Sequence, residues 1–326
     1  MNQPLDRRRF LATSGQIAAG LGAASVLGYT ATAAEQTSRQ TLCISCRDAH
    51  LKQTGKPDCW SALESIGAEG VEANVAEDFS LPELYHPERK YSVANQAAKE
   101  TLLADMKKAN KRISALRMIN RFNERPDFEI QWGTKVAQIA QELGIKAILI
   151  DVRPGKGAGS DFLDSSVATL GRLMKSAEAT GVGFGIENHG TMTNTPEFLK
   201  PLFARVGSPQ LGLTLDTANF YWYGHPLSKL YELYEQFAPR VFHTHCKSIR
   251  YPESEREKRR PMGWEYAKYN CPIYEGDIDF RRVVKILRAA SYAGDLCLED
   301  ESLEKFQADQ RQAILAKEIG HLKQCS

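Results

Sequence analysis

The 326-residue sequence has no low-complexity tract, no P-loop and no strong excess of either charge. A formal net charge of +2, without a basic patch interleaved with aromatics, gives no electrostatic reason to expect nucleic acid or a membrane surface as a partner. The segment 155–160 is glycine-rich but lacks P-loop spacing, so it reads as a flexible connection. A second CxxC that could complete a zinc site with Cys43 and Cys46 is missing. Those two cysteines lie in a strand-like run, Thr41-Leu42-Cys43-Ile44-Ser45-Cys46, and read as packing residues. The seven cysteines are odd in number and scattered, which argues against a disulfide framework.

The N-terminus carries Arg7-Arg8-Arg9-Phe10-Leu11, then a weakly apolar Ala/Gly-rich stretch and Ala31-Thr32-Ala33. This order of basic, apolar and small residues reads as a signal peptide, and the arginine pair makes it resemble a twin-arginine signal. Gly20, Gly22 and Gly28 interrupt the apolar stretch, leaving it short of the roughly 20 apolar residues of a membrane helix. The expectation is a segment 1–33 recognised by the twin-arginine export machinery, and a single domain over 34–326 acting in the periplasm. A protein folded before export folds in a reducing compartment, so free thiols are expected.

From residue 41 onward, short apolar runs alternate with segments of helical period, the mark of βα repetition around a parallel sheet. Eight strands are predicted, near 41–46, 69–74, 113–118, 146–151, 182–187, 211–216, 241–245 and 295–299. Helices are predicted over 97–110, 128–143, 163–180, 227–237, 280–290 and 305–323, with Gly144, Gly181 and Gly294 standing between helix and strand. The fold class is α/β, a (β/α)8 TIM barrel. Between roughly 248 and 276 lies a long loop. Its charged run, Glu253 to Arg260, reads as solvated surface, and its aromatics Trp264, Tyr266 and Tyr269 read as a lid or wall over the pocket.

Strand parity then isolates the chemistry. In Leu211-Gly212-Leu213-Thr214-Leu215-Asp216 the leucines share one face, leaving Asp216 on the other; Glu187 and Glu299 end their strands in the same way. Val241-Phe242-His243-Thr244-His245 adds two imidazoles of equal parity, with His243 one layer deeper than His245. Glu187, Asp216 and His245 follow one another at intervals of 29 residues. Three converging acids repel one another unless a cation neutralises them. Three carboxylates with one imidazole suit Mn²⁺, Mg²⁺ or Co²⁺ better than Zn²⁺.

The segments Gly185-Ile186-Glu187-Asn188-His189, Leu215-Asp216-Thr217-Ala218-Asn219, Phe242-His243-Thr244-His245-Cys246-Lys247, Tyr274-Glu275-Gly276-Asp277-Ile278-Asp279 and Leu298-Glu299 resemble the xylose-isomerase-like TIM-barrel superfamily. The resemblance spans about 41–323. It implies one cation on Glu187, Asp216, His245 and Glu299, with the two glutamates exchanging a proton with a carbon beside a carbonyl, through a metal-bound enediolate. A sugar isomerase or epimerase acting on a small carbohydrate is expected, and homo-oligomerisation is compatible with it. The alternatives are a lyase or dehydratase acting on a keto-sugar or 3-keto-glycoside, and a non-enzymatic sugar-binding barrel. A nuclease would want more histidines than the seven present and a basic groove. Substrate contacts are expected from His189, Lys247, Asn219, Glu72 and Trp264. This sequence departs from the family where many relatives have histidine three residues after the aspartate, having Asn219 instead, and Arg250 lies one place early for the epimerase arginine. Histidines 50, 86 and 321 read as surface or loop residues.

Overall fold

The computed structural model describes residues 41–154 and 161–326. The predicted signal segment and the glycine-rich stretch 155–160 lie outside the described residues. The strands are β1 (Cys43–Arg47), β2 (Gly70–Asn74), β3 (Arg112–Met118), β4 (Ala147–Ile150), β5 (Gly183–Glu187), β6 (Leu211–Asp216), β7 (Val241–His245) and β8 (Asp295–Leu298). Hydrogen-bonded neighbours run in the order β8-β1-β2-β3-β4-β5-β6-β7, and every pair is parallel. The two ends meet just beyond β7, where the Cys246 N–H donates to the Cys297 carbonyl at 2.7 Å and the Glu299 N–H to the Cys246 carbonyl at 3.1 Å. The result is a (β/α)8 barrel.

The principal helices are α1 (Cys59–Ile66), α2 (Gln96–Ala109), α3 (Pro126–Glu142), α4 (Phe162–Ala177), α5 (Pro196–Val206), α6 (Leu227–Phe237), α7 (Phe280–Ala289) and α8 (Ala308–Cys325). Among the described residues no helix is long and apolar enough to cross a membrane. The first of them starts where the Asp58 carboxylate accepts from the Trp60 and Ser61 N–H groups at 2.9 and 2.8 Å, satisfying donors that a helix start leaves free. Gly144 and Gly181 take up left-handed φ values of 73° and 66°, as the helix-end reading anticipates. After α7 the left-handed residue is Ser291, not Gly294. Gly294 is required for another reason: a Cβ there would lie 2.4 Å from the Tyr292 hydroxyl.

Two features escape the periodicity reading. Ser80–His86 and Arg89–Ser92 form an antiparallel hairpin after β2, whose Leu81, Leu84 and Tyr91 are buried. The long loop after β7 is also more ordered than a solvated run. Ser248–Ile249 pairs with Asn270–Cys271, and Arg260 is buried, against the expectation for its charged segment. The Arg260 guanidinium lies 4.6 and 4.3 Å from the Tyr221 and Tyr251 ring centroids and donates to the Lys258 and His225 carbonyls at 3.0 Å each. Its charge is delocalised over a planar group that stacks on aromatic faces, which makes burial tolerable where Lys would not fit.

The barrel floor shows why small residues stand on β5 and β6. A register shift between Leu213 and Thr214 leaves Phe242 without a ladder partner, and a Cβ on Gly183 or Gly212 would come within 2.6 or 2.7 Å of its ring. The Gly212 Cβ would also meet the Arg240 carbonyl at 2.0 Å. The shift pairs Thr214 with His243 and Asp216 with His245, so it aligns the two imidazoles with the polar side of β6. Gly212→Ala is therefore expected to destabilise the barrel by about 1–3 kcal/mol, the usual range for overpacking, measured by denaturant titration. An unchanged midpoint would show that the floor has slack.

Candidate metal centre

Glu187 at the end of β5, Asp216 at the end of β6, His245 at the end of β7 and Glu299 just after β8 are all buried. Each offers a ligand atom within 4.8 Å of the others. The His245 Nδ1 lies 3.3 Å from Glu187 Oε1 and 3.2 Å from Glu299 Oε2. Asp216 Oδ1 is held from behind by the Ala218 and Asn219 N–H groups at 2.8 and 2.9 Å. Asp216 Oδ2 and Glu299 Oε2 are buried and make no well-aligned hydrogen bond; both face the Lys247 ammonium, at 2.9 and 3.2 Å. Three converging buried carboxylates repel one another, and a divalent cation among hard oxygen ligands and one imidazole relieves that cost. The donor set fits such an ion.

The residues around the four tune them. Lys247 is buried, with Nζ 2.9 Å from Asp216 Oδ2, 3.2 Å from Glu299 Oε2 and 3.1 Å from Glu301 Oε1. Burial alone would discharge this amine, but Asp216 and Glu299 outweigh it and hold its pKa well above the usual range. Burial works equally against the charge of Glu299, yet Lys247, Arg47 and His245 keep that carboxyl well below its usual range. For Glu187, His189 and His245 overcome burial in the same sense. Asp216 goes the other way: burial, with Glu299 and Glu187 nearby, pushes it up to about 7 against the pull of Lys247.

Glu72, expected among the substrate contacts, is fully buried on β2 and faces the histidines. One oxygen, Oε2, lies 2.6 Å from His245 Nε2 and 2.7 Å from His243 Nε2, and the other accepts from Arg47 Nε at 3.2 Å. Behind it, His243 Nδ1 lies 2.6 Å from Asp295 Oδ1, and Asp295 Oδ2 accepts from the Ser45 hydroxyl at 2.5 Å. Taking the His245 Nε2–H leaves Nδ1 as the lone-pair nitrogen, aimed at the other three acids.

The other expected contacts fall around this core. Asn219 Nδ2 donates to Glu187 Oε1 at 3.5 Å, and His189 Nδ1 stands 3.7 Å from Glu187 Oε2 with its ring partly exposed. Trp264 packs against Tyr251 and Tyr269, at centroid distances of 5.6 and 5.7 Å. The long loop reaches the buried centre through Tyr266, whose hydroxyl donates to Glu301 Oε2 at 2.6 Å while Lys247 holds Oε1. His86 lies on the hairpin and His321 on α8. His50, read as a surface or loop residue, instead lies in the helical turn Asp48–Leu51 and accepts from the Asp300 N–H at 3.2 Å.

Several polar residues at the site were not singled out by sequence reasoning. Arg47, ending β1, pairs with Glu299 and Glu72. Arg117 on β3, and Asp151 and Arg153 just after β4, line up beside Glu187 and His189. The parity rule applied to β1 and β4 would have marked Arg47 and Asp151.

Comparison with known proteins agrees with the barrel fold. Residues 60–325 match the model of the xylose isomerase-like TIM barrel family. The chain belongs to that family. Among curated relatives it is 26% identical over 164 residues to an uncharacterized protein of Methanocaldococcus jannaschii, covering 49% of this chain and 48% of the relative. It is 28% identical over 138 residues to inosose dehydratase of Clostridium beijerinckii, covering 40% and 45%. The chain thus spans less than half the length of these curated relatives. Among solved structures, the IolI protein with a bound zinc atom superposes with TM-score 0.64 at 19% identity, covering 86% of this chain and 98% of that one. A xylose isomerase-like TIM barrel protein from Mycobacterium smegmatis in complex with magnesium gives 0.64 at 13%, covering 87% and 96%.

Two outcomes follow. Glu72→Gln should weaken divalent-metal affinity by roughly 10–100-fold, the usual effect of losing a partner behind a ligating histidine, as measured by calorimetry on the purified chain; an unaltered affinity would remove Glu72 from the site. Burial, reinforced by Arg47, lowers the pKa of His50 from 6.5 to about 4. The unfolded chain then binds more protons than the folded one between those values, so the His50 contribution is complete above 6.5 and fades as pH falls towards 4. His50→Gln retains an acceptor without titrating, and its stability should depend less steeply on pH than the wild type's across 6.5 to 4. Parallel curves would contradict the neutral ring.

Proposed function

We propose that this protein is a metal-dependent sugar isomerase or epimerase, with Glu187, Asp216, His245 and Glu299 as the ligands of one divalent cation. The observation that carries this reading is the placement of Glu187 and Glu299 against the same His245 nitrogen, at 3.3 and 3.2 Å, on strands lying to either side of β7. A cation held there supplies Lewis-acid charge beside a substrate carbonyl. One of the two glutamates, held ionised by its neighbours, takes a proton from the carbon next to the carbonyl, and the released electron pair forms the enediolate of the substrate. For epimerisation the other, which its neighbours also leave ionised, first takes a proton from solvent and delivers it to the opposite face of the enediolate, while the first glutamate gives its proton up to solvent. For isomerisation the proton is returned to the neighbouring carbon. Lys247 keeps its ammonium among Asp216, Glu299 and Glu301, within reach of a substrate oxygen. Asn219 and His189 border Glu187 and orient hydroxyls.

A second reading, dehydration of a keto-sugar, is favoured by the similarity to inosose dehydratase and by the same ammonium. The enediolate would expel a β-hydroxyl, which leaves as water after taking a proton from Lys247. Incubation with ketoses and 3-keto-glycosides in heavy water separates the readings: exchange of the α-hydrogen with recovery of the sugar supports isomerisation or epimerisation, and loss of water to a conjugated enone supports the lyase. Removal of metal by chelation should abolish exchange, and Glu299→Gln should slow it by about 10²–10⁴-fold. Exchange that survives both treatments would refute the reading.

Export is proposed on the Arg7-Arg8 pair and the segment after it. A double Arg7→Lys, Arg8→Lys substitution should retain the protein in the cytoplasm on cell fractionation; an unchanged distribution would show that the pair directs nothing.

A further inference from the structure

Arg117 is unlike the other cations at the barrel mouth. Its strand neighbours are Asn74 on one side and Leu149 on the other, and Leu149 in turn pairs with Gly185, which shares the parity of Glu187. Residues paired across a parallel sheet share a face, so Arg117 is on the inner face, towards the strand ends that carry the centre. Its side chain is only 13% exposed. None of its guanidinium nitrogens makes a hydrogen bond to the described residues, Nε is buried without a partner, and the nearest acid oxygen, Asp151 Oδ2, is 3.9 Å from Nη2.

Asp151 is already engaged. Arg153 Nη2 holds its two oxygens at 3.0 and 3.2 Å, and Arg153 Nε adds a third contact at 3.2 Å. Two guanidiniums thus lie against one carboxylate, and the inner one spends none of its donors on the described residues. The pair also adjoins the centre. Arg153 Nη2 is 2.7 Å from His189 Nδ1, and that nitrogen is 3.7 Å from Glu187 Oε2. Among the described residues Arg117 Nε is a buried donor without an acceptor, which is costly, and a bidentate carboxylate matches the planar fork of the guanidinium.

We propose that Arg117 and Arg153 form a carboxylate-binding subsite, and that the substrate is an acidic keto-sugar rather than a neutral one. This rests on the proposed function only for placing the reacting carbon at Glu187 and Glu299. The acid group then anchors one end of the sugar beside His189 while its carbonyl end lies at the centre. Neutral sugars leave Arg117 unsatisfied, so the site discriminates by the lost charge-assisted hydrogen bonds.

Calorimetry on the full, manganese-loaded chain with D-fructuronate, D-fructose and D-fructose 6-phosphate tests it. Fructuronate should bind at least about tenfold more tightly than fructose, the effect of one or two charge-assisted hydrogen bonds. Arg117→Met should erase that difference while leaving metal content and fructose binding unchanged. Arg153→Gln, at a half-exposed position that tolerates substitution, should reduce the difference severalfold and serves if the first variant does not fold. The proposal is overturned if fructuronate binds no better than fructose, if the phosphate ester is preferred over the carboxylate, or if folded variants keep the full acid preference. Absence of α-hydrogen exchange alongside an intact acid preference would instead reject the proposed reaction and leave the subsite standing.

Discussion

Mutual repulsion among buried acids is the constraint on which this barrel is organised. Glu72, Glu187, Asp216, Asp295 and Glu299 are all buried, and five carboxylates so placed cannot all stay ionised without compensating charge. His243, held by acids on both ring nitrogens, supplies part of it together with Lys247 and Arg47. The deep half of the network is closed, since Glu72, His243, Asp295 and Ser45 satisfy one another. The upper half is not: Asp216 Oδ2 and Glu299 Oε2 share the single Lys247 ammonium without a well-aligned hydrogen bond, and Asp216 is pushed up to about 7. The divalent cation we propose would sit where that imbalance is concentrated.

Such a network needs a scaffold that places side chains to within fractions of an ångström, and strands do this better than loops. The register shift beside Thr214 aligns His243 and His245 with the polar side of β6, and Gly183 and Gly212 leave the space that Phe242 fills. The long loop contributes differently. Arg260 ties it to Tyr221 and Tyr251, and Tyr266 links it to Lys247 through Glu301. A movement of this loop would therefore reach the ammonium directly.

The strands and the four central residues were legible because leucine and polar residues alternate cleanly in segments such as 211–216, and because one βα unit repeats at 29 residues between Glu187, Asp216 and His245. Arg117 was hidden by a different cause. A register shift between Val71 and Glu72 places Glu72 opposite Ala115, so parity counted along 112–118 without that shift assigns the wrong face. Glu72 could be placed near a strand end, but its role as the partner of two histidines depends on contacts 171 and 173 residues apart, which no local pattern carries. The burial of Arg260 likewise depends on aromatic rings from other segments. The hairpin at 80–92 was obscured by Pro82 and by its insertion between two βα units.

Anomalous diffraction from crystals grown with Mn²⁺ tests the central claim most directly. One anomalous peak is predicted, bonded at about 2.0–2.3 Å to oxygens of Glu187, Asp216 and Glu299 and to His245 Nδ1. A peak bound by other residues, or ordered protein with no peak among these four at saturating manganese, would contradict it.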